Sequence, residues 1–149
     1  MTEEQLTKTI LDWLETSGWK IICFDFPQSG TGVSLHPNED VRTTKNKGAI
    51  LPDIVAHKGK TVVFFENKDR FVLDDFLKVE ELKTSNDYSN SIQKLLNEVT
   101  YTKIFYGVGL PLTDNIEKKT EENKVKIDFA VFVSADKKIS VKHQTATIF

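Results

Sequence analysis

The sequence has little cysteine and no long apolar run, and each of these scarcities excludes a class of protein. Its 149 residues include one cysteine, Cys23, and four prolines. A single thiol can form no internal disulfide framework and leaves no thiolate set for structural zinc. The apolar runs are far shorter than the roughly 20 residues that span a bilayer. The start, Thr2-Glu3-Glu4, lacks the basic and then apolar pattern of a secretory signal. We therefore expect a soluble, cytoplasmic protein with no membrane partner.

The sequence also lacks a large excess of positive or negative charge, because 20 Lys and Arg residues nearly balance 22 Asp and Glu residues. A net charge of −2 argues against a strongly basic nucleic-acid-binding protein. Residues 28–60 and 101–149 nevertheless each carry a net charge of +2, counting Lys and Arg against Asp and Glu. Sequence-independent DNA binding requires a basic surface rather than a basic protein. The alternative is that scattered lysines only keep the domain soluble, and charge alone leaves both interpretations open.

Apolar material is sufficient for one hydrophobic core. Apolar residues make up 39% of the chain, which includes ten phenylalanines, so the composition is not that of a disordered protein. The length is that of one ordinary domain. We expect residues 1–149 to form a single domain.

The apolar periodicity predicts an alternation of helices and strands. A helix is predicted over residues 3–17, with Thr2 as its N-cap. A short polar helix is predicted near 114–123, where Asp114 and Glu117 could form a capping box. A third helix is predicted over 88–99, and residues 71–85 are expected to be partly helical. Strands are predicted over 19–26, 50–57, 61–67, 102–108, 125–133 and 139–141. This order, α-β-β-β-α-β-(α)-β-β, predicts an α/β fold with a mixed central sheet flanked by helices.

A long excursion, residues 28–49, separates the first strand from the next. An excursion of this length in a compact domain is usually functional or mobile. Ser29 and Thr31 belong to a glycine-rich turn that could present backbone amides to a phosphate, or could be a plain turn. Positive side chains follow before the next strand and are candidate phosphate contacts: Arg42, Lys45 and Lys47.

Charged residues stand in two strands that are otherwise apolar on both faces. Such strands are expected at the centre of a covered sheet, where an unpaired carboxylate is costly. Yet Asp53 opens one strand, and Glu66 and Lys68 close its neighbour. With a two-residue turn at Lys58-Gly59, Asp53 faces Phe64 and is a diagonal neighbour of Glu66. All three charged side chains then share one side of the sheet.

These three residue types suit the hydrolysis of a phosphodiester. Two neighbouring carboxylates repel each other unless a cation lies between them, and hard oxygen ligands select Mg²⁺, or Mn²⁺ in its place. A bound dication generates hydroxide and stabilises charge on a phosphate, while Lys68 could orient the water or neutralise the phosphate oxygens. In the alternative, Asp53 only caps a strand and Glu66 with Lys68 is a surface ion pair.

The segment Leu51-Pro52-Asp53-Ile54-Val55-Ala56, followed twelve residues after Asp53 by Glu66-Asn67-Lys68, resembles the signature of the PD-(D/E)XK nuclease superfamily. That superfamily includes type II restriction endonucleases and, as the second choice here, archaeal Holliday junction resolvases. Their common core, α-β-β-β-α-β, matches the order predicted for residues 3–108, and the strands beyond it would be C-terminal additions.

The resemblance implies roles for individual residues. Asp53 and Glu66 would bind Mg²⁺ together with the backbone carbonyl of Asn67, and Lys68 would assist the nucleophile. The family often adds an acidic residue from the first helix, for which Glu3, Glu4 and Glu15 compete. Glu3 is our choice because it falls within the apolar face, although it could simply complement the helix dipole. Ser29 and Thr31 would correspond to the Ser-Gly loop of resolvase-like members. Arg70 is expected either to reach the DNA or to pair with Asp69.

We therefore expect a Mg²⁺-dependent DNA endonuclease, of restriction type or the catalytic subunit of such an enzyme, without a small-molecule cofactor. A junction resolvase or repair nuclease is the alternative, although small resolvases tend to be strongly basic. A further alternative is a non-catalytic nucleic-acid-binding module of the same fold. Cutting both strands of DNA with one site per chain requires two copies, so a homodimer or a larger nuclease assembly is expected.

Overall fold

The computed structural model describes residues 1–26, 29–38 and 48–149, in which helices and strands alternate. The elements, in chain order, are α1 Glu3–Thr16, β1 Lys20–Phe26, β2 Ser29–Gly30, β3 Ile54–Lys58, β4 Thr61–Asn67, α2 Leu73–Thr84, α3 Ser89–Leu95, β5 Lys103–Pro111, α4 Asp114–Glu122, a 3₁₀ turn Lys124–Lys126, β6 Phe129–Val133 and β7 Ile139–Lys142. Within these ranges no helix is long and apolar enough to cross a membrane.

A single mixed sheet of seven strands, in the order β2-β1-β3-β4-β5-β6-β7, forms the centre of the fold. The neighbours β1, β3 and β4 run antiparallel, whereas β4, β5 and β6 run parallel. The strand β7 returns antiparallel at one edge, and the two-residue β2 extends the other. Parallel neighbours need crossover connections, and these carry α2 and α3 before β5 and α4 before β6. The predicted α/β fold with a mixed, helix-flanked sheet is confirmed.

Helices cover both faces of the sheet. On one face α1 contributes Leu6, Ile10 and Leu14, each with no exposed surface, to a core that includes alternate residues of the central strands. On the opposite face α2 contributes Phe76 and Val79 to a second core. The central residues of β4 are buried throughout, as the prediction of a doubly covered strand requires.

Threonine side chains cap the starts of α1 and α4. Thr2 is the N-cap of α1, as predicted, and forms a capping box with Gln5. The predicted capping box of Asp114 with Glu117 is wrong. Thr113 is the N-cap of α4, because its extended backbone lets its hydroxyl accept a hydrogen bond from the Ile116 N–H. Asp114 is therefore the first helical residue, where its charge complements the helix dipole.

Several predicted boundaries differ from those observed. The strand predicted over 50–57 begins at Ile54, because Ile50 forms an isolated bridge with Leu35 and Pro52 has no N–H to donate to the sheet. The strand predicted over 125–133 begins at Phe129, since a 3₁₀ turn precedes it.

The helix predicted over 88–99 is the seven-residue α3, and the longer α2 lies in the stretch that was expected to be only partly helical. Tyr88, Ile92 and Leu96 of the predicted stripe are buried, so the pattern located the core contacts but not the helix ends.

Gly107 of β5 supplies a direct test of how closely the central strands pack. A Cβ at this position would lie 2.4 Å from the backbone oxygen of Phe129 and 2.5 Å from its ring. Because a backbone oxygen in a strand cannot move aside, we expect Gly107→Ala to lower the free energy of unfolding by roughly 1–3 kcal/mol in urea titrations. Gly59→Ala is the matched control, since a Cβ there meets nothing within 4 Å and carries only the strain of a positive φ. Equal losses in the two variants would contradict the close packing.

Candidate active site

The β3–β4 hairpin brings the two predicted carboxylates side by side. The predicted turn at Lys58-Gly59 is wrong by one residue. Lys58 pairs with Thr61, and Ile54 pairs with Phe65. Asp53, which precedes Ile54, therefore lies beside Glu66 instead of beside Phe64. The register moves by two residues, so the alternation of side chains still places the two acids toward the same face.

Asp53 is fixed by hydrogen bonds on both sides of Glu66. Its backbone N–H donates to the oxygen of Phe65 (3.0 Å), and its Oδ2 accepts from the backbone N–H of Asn67 (2.7 Å). Burial raises the pKa of Asp53 to about 7 despite the hydrogen bond from Asn67, which lowers it. Repulsion from Glu3, Asp25 and Asp75 also raises this pKa.

Glu66 is the second acid of the site and, like Asp53, is half-buried. Burial raises its pKa to about 8, and repulsion from Asp53 is the next largest cause. Asp75 and Glu3 add to the repulsion, whereas Lys78 lowers the pKa. When both are ionised, these adjacent carboxylates repel each other, and such perturbed groups often cluster at functional sites.

Lys68 lies just beyond β4, which ends at Asn67 as predicted. Its backbone N–H donates to the oxygen of Gly109 (3.1 Å), and its ammonium lies 3.7 Å from Glu3 Oε2. Glu3 stands in the first turn of α1, so this ion pair joins the helix to the end of the strand. The structure thus brings together all four predicted catalytic side chains, Glu3, Asp53, Glu66 and Lys68, at the carboxyl end of β4.

Two charged residues of α2 belong to the same site and were missed from the sequence. Asp75 is only 8% exposed, and its Oδ2 is buried without a hydrogen-bond partner. Lys78 lies one turn later, with its Nζ 3.8 Å from Asp75 Oδ1. The signal was available, because Asp75, Val79 and Leu82 follow helical spacing and all three are buried. An aspartate in the apolar stripe of the helix that follows Lys68 points to the site.

Asn67, the middle residue of the motif, faces the opposite core. Its side chain has no exposed surface, and its Nδ2 donates to Thr7 Oγ1 of α1 (3.1 Å). A Cβ on Gly109 would lie 2.3 Å from Asn67 Oδ1, so the glycine leaves room for the amide. This buried contact holds α1 against β4 and thereby sets the position of Glu3. The predicted role of the Asn67 backbone carbonyl as a metal ligand stays a prediction.

The structure describes only some of the residues that were predicted to contact DNA. Ser29 lies in β2, so the segment begins as a strand and not as the expected turn. Thr31 is exposed, its N–H donates to the oxygen of Phe24 (2.8 Å), and its hydroxyl accepts from the N–H of Phe24 (3.3 Å). Arg70 is exposed and its guanidinium pairs with Asp69 at 2.9 Å, the second of the two outcomes considered for it. Arg42, Lys45 and Lys47 lie outside the described residues.

The donor set fits a hard dication, within limits. Asp53 and Glu66 supply carboxylate oxygens, and Asp75 adds a third acid whose buried Oδ2 has no hydrogen-bond partner. Across residues 1–26, 29–38 and 48–149, however, no three His, Cys, Asp or Glu side chains are grouped closely enough to hold a metal by themselves. A site with two carboxylates suits Mg²⁺, which keeps several of its waters and often takes only one or two protein carboxylates.

Comparisons with known proteins give little beyond this geometry. No protein-family model matches the chain, and no curated protein matches it. Among solved structures, the chain is similar to an XisH family protein from Nostoc punctiforme, with 14% sequence identity and a TM-score of 0.36. The match covers 88% of this chain and 91% of that protein. A likeness at this level carries no conclusion about function.

Proposed function

We propose that this protein is a Mg²⁺-dependent DNA endonuclease with a restriction endonuclease-like core, acting as a restriction-type enzyme or as its catalytic subunit. One observation carries the proposal. Asp53 and Glu66 lie side by side at the end of the β3–β4 hairpin, both with pKa values raised by burial, and Lys68 lies just beyond them. Raised pKa values in such a cluster are typical of functional sites.

The residues divide the chemistry among them. Asp53 and Glu66 would hold Mg²⁺, with the Asn67 carbonyl as a further ligand. The bound ion would supply an activated water and neutralise charge on the phosphate. Lys68, kept in place by Glu3, presents an ammonium that can orient the attacking water or stabilise the phosphate oxygens. Asn67 fixes Asp53 through its backbone N–H and fixes α1 through its side chain.

DNA is the proposed partner, and a homodimer or larger nuclease assembly would deliver the second active site for a double-strand cut. Junction resolution or repair would use the same residues on another DNA. Of the predicted phosphate contacts, Thr31 and Arg70 are exposed, and the positive charge of Arg70 opposes the rise in the pKa of Asp75 that burial causes. Thr31 adjoins Gly32, where a Cβ would lie 2.9 Å from Asp25 Oδ1, and Asp25 raises the pKa of Asp53.

A non-catalytic nucleic-acid-binding module is the second candidate, favoured by one observation. The described residues contain no compact group of three metal-ligating side chains. A module that binds DNA without cutting it would need no such group.

A cleavage assay separates the two candidates. The protein is incubated in parallel with duplex plasmid, single-stranded DNA and a four-way junction, each with Mg²⁺, with Mn²⁺ or with EDTA. Metal-dependent products from any of the three DNAs support the endonuclease and identify its substrate class. Retention of DNA in a gel without any product, in either metal, supports the binding module instead.

Metal binding should depend steeply on pH. Carboxylates bind a dication only when deprotonated, and the pKa values of Asp53 and Glu66 are about 7 and about 8. The affinity for Mg²⁺ is therefore expected to rise as the pH increases from about 6 to about 9, with proton release on binding. Calorimetric titrations at several pH values in two buffers of different ionisation enthalpy measure both effects. An affinity that stays constant over this window would contradict the assignment of these two acids as ligands.

A further inference from the structure

We propose that Lys78 is a resident counter-cation for the carboxylates of Asp75 and Glu66, and that a divalent cation at the active site competes with it. The competition rests on the metal site of the proposed function, whereas the counter-cation role itself does not.

The first observation is the position of the ammonium. Lys78 Nζ lies 3.8 Å from Asp75 Oδ1, and the two side chains are one turn apart on α2. The Asp75 side chain is 11% exposed, whereas that of Lys78 is 50% exposed. A buried carboxylate is thus compensated by a long side chain that keeps half of its surface in solvent.

The second observation links Lys78 to Glu66. Both residues line one small cavity together with Pro52, Phe64 and Val79, so the lysine side chain passes over the buried end of β4. Among the charges acting on Glu66, Lys78 opposes the repulsion of the three neighbouring acids. The same ammonium therefore serves two carboxylates that come from a strand and from a helix.

The third observation is the negative charge of the site that Lys78 does not neutralise. Asp75 Oδ2 is buried and has no hydrogen-bond partner, and Lys68 is already paired with Glu3. One ammonium does not neutralise Asp53, Glu66 and Asp75 together. A dication at Asp53 and Glu66 would be repelled by Lys78 at short range, so its binding should displace the ammonium outward.

Lys78→Met tests the inference, because methionine keeps the length of the apolar stem. Lys124→Met is the matched control, since Lys124 also forms an ion pair with a residue three positions away, Glu121, at 3.0 Å. Calorimetric titration at pH 8 is expected to give a Mn²⁺ or Mg²⁺ affinity roughly 3–10-fold higher in Lys78→Met than in wild type. Lys124→Met should match wild type.

A second readout uses the metal-free protein. In EDTA at pH 8, Lys78→Met is expected to melt several degrees below Lys124→Met, because Asp75 and Glu66 lose their compensating charge. Adding Asp75→Asn to Lys78→Met should recover most of that loss. Melting curves measure both effects and require neither metal nor DNA.

The outcomes are distinguishable. An affinity for the dication that is unchanged in Lys78→Met would overturn the competition and leave the proposed nuclease standing. Wild-type protein that binds neither dication would overturn both the competition and the proposed function. If Lys78→Met melts together with Lys124→Met in EDTA, or Asp75→Asn recovers nothing, the counter-cation role itself is wrong.

Discussion

Lys68→Met, Asp53→Asn and Glu66→Gln are each expected to reduce DNA cleavage by a factor of at least ~10² to 10³. The two acid variants remove half of the carboxylate pair that would hold Mg²⁺, and the lysine variant removes the ammonium that stabilises charge on the phosphate. Binding of DNA should change only a few-fold, because the predicted phosphate contacts are other residues. Initial rates on the preferred DNA, measured with Mg²⁺ in excess, give the effect.

Lys60→Met is the control for this series. Lys60 lies in the turn of the same hairpin, at the opposite end of β4 from Lys68, and it is exposed. The Lys60→Met protein should cleave DNA at the wild-type rate. Circular dichroism of each variant checks that the fold is intact. A Lys68→Met protein that retains more than about a tenth of the wild-type rate would remove Lys68 from the mechanism.

Glu66→Gln is also expected to make the metal-free protein more stable at alkaline pH. The pKa values of Asp53 and Glu66 are about 7 and about 8 in the folded state, above the value near 4 of a free carboxyl group. Between these limits the folded protein binds more protons than the unfolded chain, so the stability that these groups provide below about pH 4 is lost as the pH rises to about 8. An uncharged glutamine removes this loss at its position.

The size of that effect is set by the shift of the pKa. At pH 9 in EDTA, Glu66→Gln is expected to exceed the wild type by on the order of 2–4 kcal/mol in free energy of unfolding. At pH 5 the difference should be small, and saturating Mg²⁺ should remove much of it at pH 9 by stabilising the wild type. Urea titrations at both pH values, with and without the metal, measure it. Parallel pH dependence of wild type and variant would show that Glu66 ionises as freely as an exposed carboxylate.

The sheet and the motif of Asp53, Glu66 and Lys68 could be predicted from the sequence because both depend on local patterns. The apolar run of β4 with a glutamate at its end, and the alternation of side chains along the hairpin, were enough to place Asp53 and Glu66 toward one face. The absolute register of the hairpin could not be predicted, because moving the turn by one residue changes every pair of facing residues. The sequence did not distinguish the observed pairing of Lys58 with Thr61 from the predicted pairing of His57 with Lys60.

Residues brought in by distant elements were harder to predict. Glu3 was selected from the helical face of α1, because amphipathicity shows which side of a helix meets the sheet, and its carboxylate lies 3.7 Å from the Lys68 ammonium. Asp75 and Lys78 were missed because α2 was expected to be only partly helical. Its apolar pattern is short and is interrupted by the same aspartate that belongs to the site. A functional charge inside an apolar stripe weakens the pattern that would reveal it.

Calorimetric titration of the wild-type protein with Mn²⁺ and Mg²⁺ at pH 8.5 tests the central claim most directly. We predict one site per chain that is lost in Asp53→Asn and in Glu66→Gln and retained in Glu117→Gln, whose carboxylate pairs with Lys142 away from the active site. Absence of binding by the wild type, or equal binding by all four proteins, would contradict the claim that Asp53 and Glu66 form the cation site of a nuclease.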